Sequence, residues 1–312
     1  MPDISVLTIC AGRLSHLENL IRGLCTQTSL PGELVIGVMQ DAIYDDLPQT
    51  PFPVRQIVVP RETEALPLAR ARNVVGNAAR GEVLIFLDVD CIPHSDFVAD
   101  YARHVHPGAG LFMGEVQYLP AGATDGGLDD ARFDRLSVRH SERRGPPLEG
   151  IDPCRDYRCF WSLNFAMHRD DWQRAGGFDE RFTGYGGEDT DFGRSVAERN
   201  IPLWWQRGAR VYHQYHAHCM PPIHHVASIL HNTQVFADKW GHRTMEHWLR
   251  AFRLMGLIRE GADGLEVART PDEDDFALCR QQQHQPFASS DKVLKELERR
   301  AAEGDAATIA AQ

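Results

Sequence analysis

The sequence has no C-x-x-C pair, no surplus of basic charge and no long unbroken apolar run, and each absence narrows what the chain can be. Its seven cysteines are an odd, scattered set, which argues against a disulfide framework or a cysteine zinc site and suits a reducing cytoplasm. With 33 basic against 44 acidic residues the net charge is −11, a balance that disfavours nucleic acid or an anionic membrane as the main partner. No apolar stretch approaches the ~20 residues a membrane span needs, and Met1-Pro2-Asp3 lacks the basic flank of a secretion signal. The expectation is a soluble, cytoplasmic protein without a membrane span. What is present is an ordinary globular composition: 43% apolar in 312 residues, enough for one large α/β domain or two modest ones.

The most informative stretch is Val83-Leu84-Ile85-Phe86-Leu87-Asp88-Val89-Asp90. Five apolar residues in a row read as a strand buried on both faces, as inside a parallel sheet. Acids can end such a strand only where it leaves the core, and in open α/β sheets that carboxyl end is where ligands bind. On a regular strand Asp88 and Asp90 lean to one face, where they could share a divalent cation. The bland alternative is a pair of turn-forming acids.

Around it, strands are expected at 4–10, 33–39, 55–59, 110–118, 160–168 and 203–211. Helices are expected from a Ser15/Glu18 capping box onward, over 68–79, from Ser95 to about 105, within 129–143, and over 170–175, 188–198, 223–240 and 290–302. This alternation predicts an α/β fold with a mainly parallel central sheet flanked by helices. The Gly-, Pro- and charge-rich segment 120–158 reads as an excursion from it. Glu188, Asp189 and Asp191 follow glycines 184, 186 and 187 at a helix amino end, where acids are favoured in any case. His213 stands at the end of a strand, unlike the later histidines, which fall on a helix surface.

Asp88-Val89-Asp90, then Gly176-Gly177-Phe178-Asp179 and Gly186-Gly187-Glu188-Asp189-Thr190-Asp191 about a hundred residues later, resemble the motifs of the GT-A glycosyltransferases, in particular family 2 and the β-1,4-galactosyltransferase-like proteins. The resemblance implies a GT-A domain over 1–258, with a nucleotide-sugar-binding half (1–119) and an acceptor and catalytic half (120–258), followed by an acidic, helical extension over 259–312. It implies metal-dependent, inverting transfer of a hexose, such as galactose or N-acetylgalactosamine, from a UDP-sugar to a glycan or glycolipid hydroxyl, with peripheral membrane association as an option. Asp189 would be the base and Glu188 would hold the acceptor. Asp90 would bind the metal, Mn²⁺ in preference to Mg²⁺, with Asp88 touching metal or ribose. His213 would be the later metal ligand, with His216 and His218 as competitors. Ile9, Arg13, Gln40, Arg70 and Asn73 would bind the nucleotide, while Trp161, Tyr185 and Gly187 would line the substrate site. The helix that carries Arg70 also carries Arg72, for which a solvated face is as good a reading. Two other readings stand beside this one: a nucleotide-sugar-binding module without turnover, and a sugar-nucleotide pyrophosphorylase.

Overall fold

A computed structural model describes residues 3–262, 264–281, 285–287 and 289–310, with the side chains of the last helix described to 303. The chain forms two compact units: Met1–Thr183 with Glu188–Tyr215, and Gly184–Gly187 with His216–Gln312.

The first unit runs β1 (Ile4–Cys10), α1 (Leu14–Cys25), β2 (Glu33–Val38), β3 (Val54–Val58), α2 (Leu68–Ala78), β4 (Val83–Leu87), β5 (Cys91–Pro93) and α3 (Phe97–Ala102). It continues with β6 (Leu111–Met113), β7 (Val116–Tyr118), α4 (Asp130–Leu136), β8 (Ile151–Pro153), β9 (Asn164–His168), α5 (Arg169–Ala175), α6 (Glu188–Glu198), β10 (Leu203–Gln206) and β11 (Val211–His213). Eight strands form the main sheet in the order β3-β2-β1-β4-β9-β6-β10-β8. β3, β2, β1 and β4 are parallel, as are β6 and β10; β9 lies antiparallel between β4 and β6, and β8 is an antiparallel edge. The central β4 is buried along its whole length, as its continuous apolar sequence requires. Aromatic rings fill the layer above it: Phe86 stacks on Phe165 at 4.5 Å, and Phe178 on Phe192 at 4.1 Å.

Two expected strands are each broken in two. The expected strands 110–118 and 203–211, the latter running on to His213, start in the main sheet and finish in a three-stranded sheet of order β5-β11-β7. The break falls where the two segments cross: a Cβ on Gly114 would lie 2.4 Å from the Ala209 carbonyl oxygen, so this approach admits only glycine. Gly208 and Ala209 turn with positive φ, and the Asp100 carboxylate accepts the Ala209 N–H at 2.8 Å. The expected capping box of α1 is also absent. The helix starts two residues earlier, after Arg13 in a left-handed conformation (φ 50°), and Glu18 pairs with Arg22 at 3.0 Å one turn on. The helix after Ser95 is short, Phe97–Ala102.

The second unit comprises α7 (Val226–Trp240), α8 (Glu246–Leu254), the hairpin β12 (Ile258–Gly261) and β13 (Gly264–Val267), α9 (Glu273–Cys279) and α10 (Ser290–Ala310). Its apolar cluster joins Ile229, Leu249 and Phe252 to Leu257, Cys279 and Leu297, so residues 216–258 share one core with the C-terminal segment expected to follow as an extension. α10 also runs eight residues past its expected end at Ala302.

Candidate active site

β4 ends at Leu87, not Asp90, and Asp88, Val89 and Asp90 form a tight turn into β5. The strand alternation that would put both carboxylates on one face therefore does not apply, and the two acids have separate surroundings. Asp88 accepts the Val89 N–H at 2.9 Å. Burial pushes its carboxyl pKa up, against the pull of Arg72 and Arg13, and the charge of Asp189 adds to the rise. Asp90 is 3% exposed. One of its oxygens pairs with the Arg13 guanidinium and the other shares a 2.6 Å hydrogen bond with His16 Nδ1. Desolvation, reinforced by the Arg13 charge, lowers the pKa of His16.

The small sheet brings His213 to the turn. β11 pairs antiparallel with β5 in a register that sets His213 opposite Cys91, the residue after Asp90. The two side chains offer ligand atoms within 4.8 Å of each other. The His213 ring stacks on Tyr118 at 4.9 Å, and the Gln214 N–H donates to the Asp90 carbonyl at 2.7 Å, which fixes the approach. A carboxylate and an imidazole at this spacing could hold a first-row divalent cation. His216 and His218 belong to the second unit.

The second motif reaches the same unit through α6. Glu188 is buried at 7% exposure, beside Arg72 at 3.2 Å, whose guanidinium lies 5.3 Å over the Phe178 ring. Desolvation, with the neighbouring Asp189 charge second, raises the Glu188 pKa to about 7 despite Arg72. Asp189 Oδ2 accepts the Ser162 N–H at 3.1 Å. Its Oδ1 is buried with no hydrogen-bond partner among the described residues, so it can accept a proton or a hydroxyl without first breaking a bond. Thr8, Ile9, Arg72, Leu87, Asp88 and Ser162 line one narrow cleft at the strand ends.

Several expected nucleotide ligands act first on the protein itself. Gln40 Oε1 accepts the Gly12 N–H at 3.0 Å, and the Tyr44 hydroxyl donates to the Gly12 carbonyl at 2.7 Å, so both shape the loop that carries Arg13. Asn73 donates to the Phe178 carbonyl at 2.8 Å and to Glu180 at 2.9 Å, and accepts the Phe178 N–H at 2.7 Å; its amide is engaged in holding the Gly177-Phe178 turn. Arg70 pairs with Glu62 at 2.6 Å near the surface, whereas Arg72 is the arginine at the acids. A solvated face thus fails for Arg72. The buried stripe of α2 contains Ala69, Arg72, Asn73 and Gly76, and this i, i+3, i+4, i+7 spacing is visible in the sequence. His16, Thr8 and Ser162 carried no sequence signal. Trp161 meets the His140 ring edge-on at 5.2 Å. In the second unit Tyr185 stacks on His225 at 4.8 Å, and Asn232 donates to the Gly186 carbonyl at 2.7 Å, next to the buried Gly187.

Residues 148–217 match a family model described as the N-terminal domain of galactosyltransferase, a span that includes Trp161, Glu188, Asp189 and His213. A validoxylamine A glucosyltransferase of Streptomyces hygroscopicus subsp. limoneus is 25% identical over 230 residues, 65% of this chain and 49% of the relative. A second one, of Streptomyces hygroscopicus subsp. jinggangensis, is 48% identical over 44 residues, 14% of this chain and 10% of its own. The chain thus spans about half or less of the curated relatives it matches. Among solved structures, S. aureus TarS overlaps 81% of this chain and 43% of its own with a TM-score of 0.50 at 13% identity. GalNAc-T7 with UDP, GalNAc and Mn²⁺ overlaps 69% of this chain and 44% of its own with a TM-score of 0.48 at 17% identity. With its mainly parallel sheet, the Asp88-Val89-Asp90 turn at the end of β4 and the matching second motif, the chain carries the GT-A fold of the glycosyltransferases.

Proposed function

We propose that the protein is a metal-dependent, inverting glycosyltransferase that moves a hexose from a UDP-sugar to a hydroxyl acceptor, in surface glycan synthesis at the cytoplasmic side. One observation carries this reading: Asp189 is held through one oxygen while its other, buried oxygen has no partner, in the same unit as the Asp88-Val89-Asp90 turn.

The chemistry asks for two things at once. An acceptor hydroxyl must lose its proton as it attacks, and a diphosphate must leave. Asp189 Oδ1 is the atom offered to that proton, and Ser162 fixes the carboxylate by its other oxygen. Glu188, close to half-protonated near neutrality, can donate to or accept from an acceptor hydroxyl, and Arg72 orients it. A divalent cation, when bound, neutralises charge on the departing diphosphate. Asp90 and His213 would hold it, with Mn²⁺ suited to the mixed oxygen and nitrogen donors. Arg13, now paired with Asp90, has to exchange that partner when a cation arrives. Ile9, Gln40, Arg70, Asn73 and Asp88 serve the nucleotide side, the first of these from the cleft wall and Gln40 and Asn73 as shapers of the loops around it. Trp161 serves the sugar side within the first unit. The transferase domain is taken as 1–258.

The test is a panel of nucleotide sugars assayed for Mn²⁺-dependent hydrolysis and for thermal stabilisation of the protein. At least one UDP-sugar should score in both, and Asp189→Asn should retain donor binding while losing transfer by about 10²-fold or more. Silence of every donor in both assays, with and without metal, would remove the transferase reading, whereas stabilisation without hydrolysis or transfer would leave the binding module. Product in which the donor's α-configuration is retained would contradict inversion.

A further inference from the structure

A second group of polar side chains in the first unit has no role in the chemistry above. Arg143 lies in the segment 120–158, and its guanidinium sits 5.4 Å from the Trp161 ring and 5.1 Å from the Trp205 ring. Its Nε and Nη2 are buried and have no hydrogen-bond partner, and no carboxylate lies within ion-pairing distance of it among the described residues. A guanidinium with two of its nitrogens buried keeps its charge, so it needs either anionic company or a large compensation. Two indole faces supply part of that, but they leave in-plane N–H donors unused.

The surroundings do not supply the missing anion. Glu115, 1% exposed, is already committed to Arg207 at 2.5 Å and Arg210 at 2.8 Å, with Arg139 at 3.8 Å. Arg210 shares Asp134 at 2.5 Å. Three guanidiniums therefore share two carboxylates, and Arg143 adds a fourth positive charge that neither of them pairs, a local excess inside a protein whose net charge is −11. Arg139, His140, Arg143 and Trp205 line an open cleft here, and the Trp161 ring that packs on Arg143 and His140 is next in sequence to Ser162, the residue that holds the Asp189 carboxylate. The charge of Asp189 also acts on Arg143.

We infer that Arg143, flanked by Trp161 and Trp205 and assisted by Arg139, recognises an anionic group on the acceptor, so that the acceptor is a hydroxylated molecule carrying a phosphate or a carboxylate. This rests on the transferase reading for the word acceptor, whereas the anion site itself does not. The two indoles give a direct signal, because an anion drawn to Arg143 alters tryptophan emission. The experiment titrates the full-length protein with inorganic phosphate, a hexose phosphate, a hexuronate and the neutral hexose, following fluorescence and calorimetric heat, with and without saturating UDP. Saturable binding of the phosphates or of the hexuronate, but not of the neutral hexose, is expected to persist in UDP and to weaken at least ~30-fold in Arg143→Gln, with partial recovery in Arg143→Lys. Which of the two anions binds assigns the acceptor's class. Equal binding of neutral and anionic sugars, no binding of any anion, displacement of phosphate by UDP, or unchanged affinity in a folded Arg143→Gln would each overturn the inference. Should Arg143→Gln not fold, the UDP competition on the unaltered protein still decides it. Donor hydrolysis by the unaltered protein, measured alongside, tests the transferase reading separately from the anion site.

Discussion

Glu188 and Arg72 share a buried space, and the sign of their pH dependence follows from which form the burial favours. The Glu188 carboxyl titrates near 7 in the folded protein against an ordinary 4.5, so its contribution to stability is fully present below 4.5 and is lost as pH rises through about 7. Glu188→Gln is neutral at every pH. It leaves Arg72 unpaired by a constant amount, so its stability relative to the parent should improve between pH 5 and pH 8, by up to about 3 kcal/mol in urea titrations. An offset identical at both pH values would mean that Glu188 is ionised throughout. Arg13 offers a second residue-scale outcome. Its guanidinium occupies the Asp90 carboxylate that a divalent cation would use, so Arg13→Ala should tighten Mn²⁺ binding by roughly two- to fivefold, about the worth of one partly exposed ion pair. Electron paramagnetic resonance of free Mn²⁺ measures this without turnover, and weaker binding would show that Arg13 supports the cation site.

At the scale of elements, α6 presents Glu188 and Asp189 only because it packs closely on the chain before β9. A Cβ on Gly193 would lie 2.7 Å from the Tyr157 carbonyl oxygen and 3.0 Å from the Phe160 side chain. Backbone cannot yield as a flexible side chain does, so Gly193→Ala should cost about 1–3 kcal/mol of stability and slow transfer, since the displaced segment leads into Trp161 and Ser162. Chemical denaturation and steady-state kinetics check both parts; unaltered stability would show that the helix shifts freely. This packing also explains how far the sequence could be read. The continuous apolar β4, the acids at its end and the glycine-acid motif were legible because each is a local pattern, whereas in the sequence Arg70 is favoured over Arg72 although the periodicity of α2 carries the buried stripe that holds Arg72. The broken strands at 114 and 208 were not. Their cause is the close crossing of two backbones roughly a hundred residues apart, which leaves no periodic trace in either segment. The ion pair of Asp90 with Arg13 and its hydrogen bond with His16 arise likewise from tertiary approach, while the pairing register that sets His213 opposite Cys91 appears only once β11 is known to leave the main sheet.

For the whole molecule, ligand binding should be readable as stability. Saturation with Mn²⁺ and UDP, each at about a hundred times its dissociation constant, adds roughly 2.7 kcal/mol per ligand and about 5 kcal/mol for the two, which for a chain of 312 residues raises the midpoint of thermal unfolding by about 8 °C. Asp90→Ala should lose the Mn²⁺ increment and keep a smaller UDP response; an undiminished Mn²⁺ shift would place the cation elsewhere.

The place of β9 in the main sheet has a consequence for how the protein is made. β4 is the most apolar strand, yet its partner on one side, from Asn164 to His168, leaves the ribosome long after it, with Leu87 waiting for Asn164. At ordinary synthesis speed the wait is on the order of ten seconds. During it the nascent chain shows an unpaired hydrophobic edge, the sort of surface that captures a neighbouring polypeptide. A fragment ending at residue 150 should therefore form aggregates, whereas one extended past His168 should be far easier to keep in solution. Production of this protein in a host would then be limited by chaperone supply and translation rate before it is limited by the stability of the finished fold.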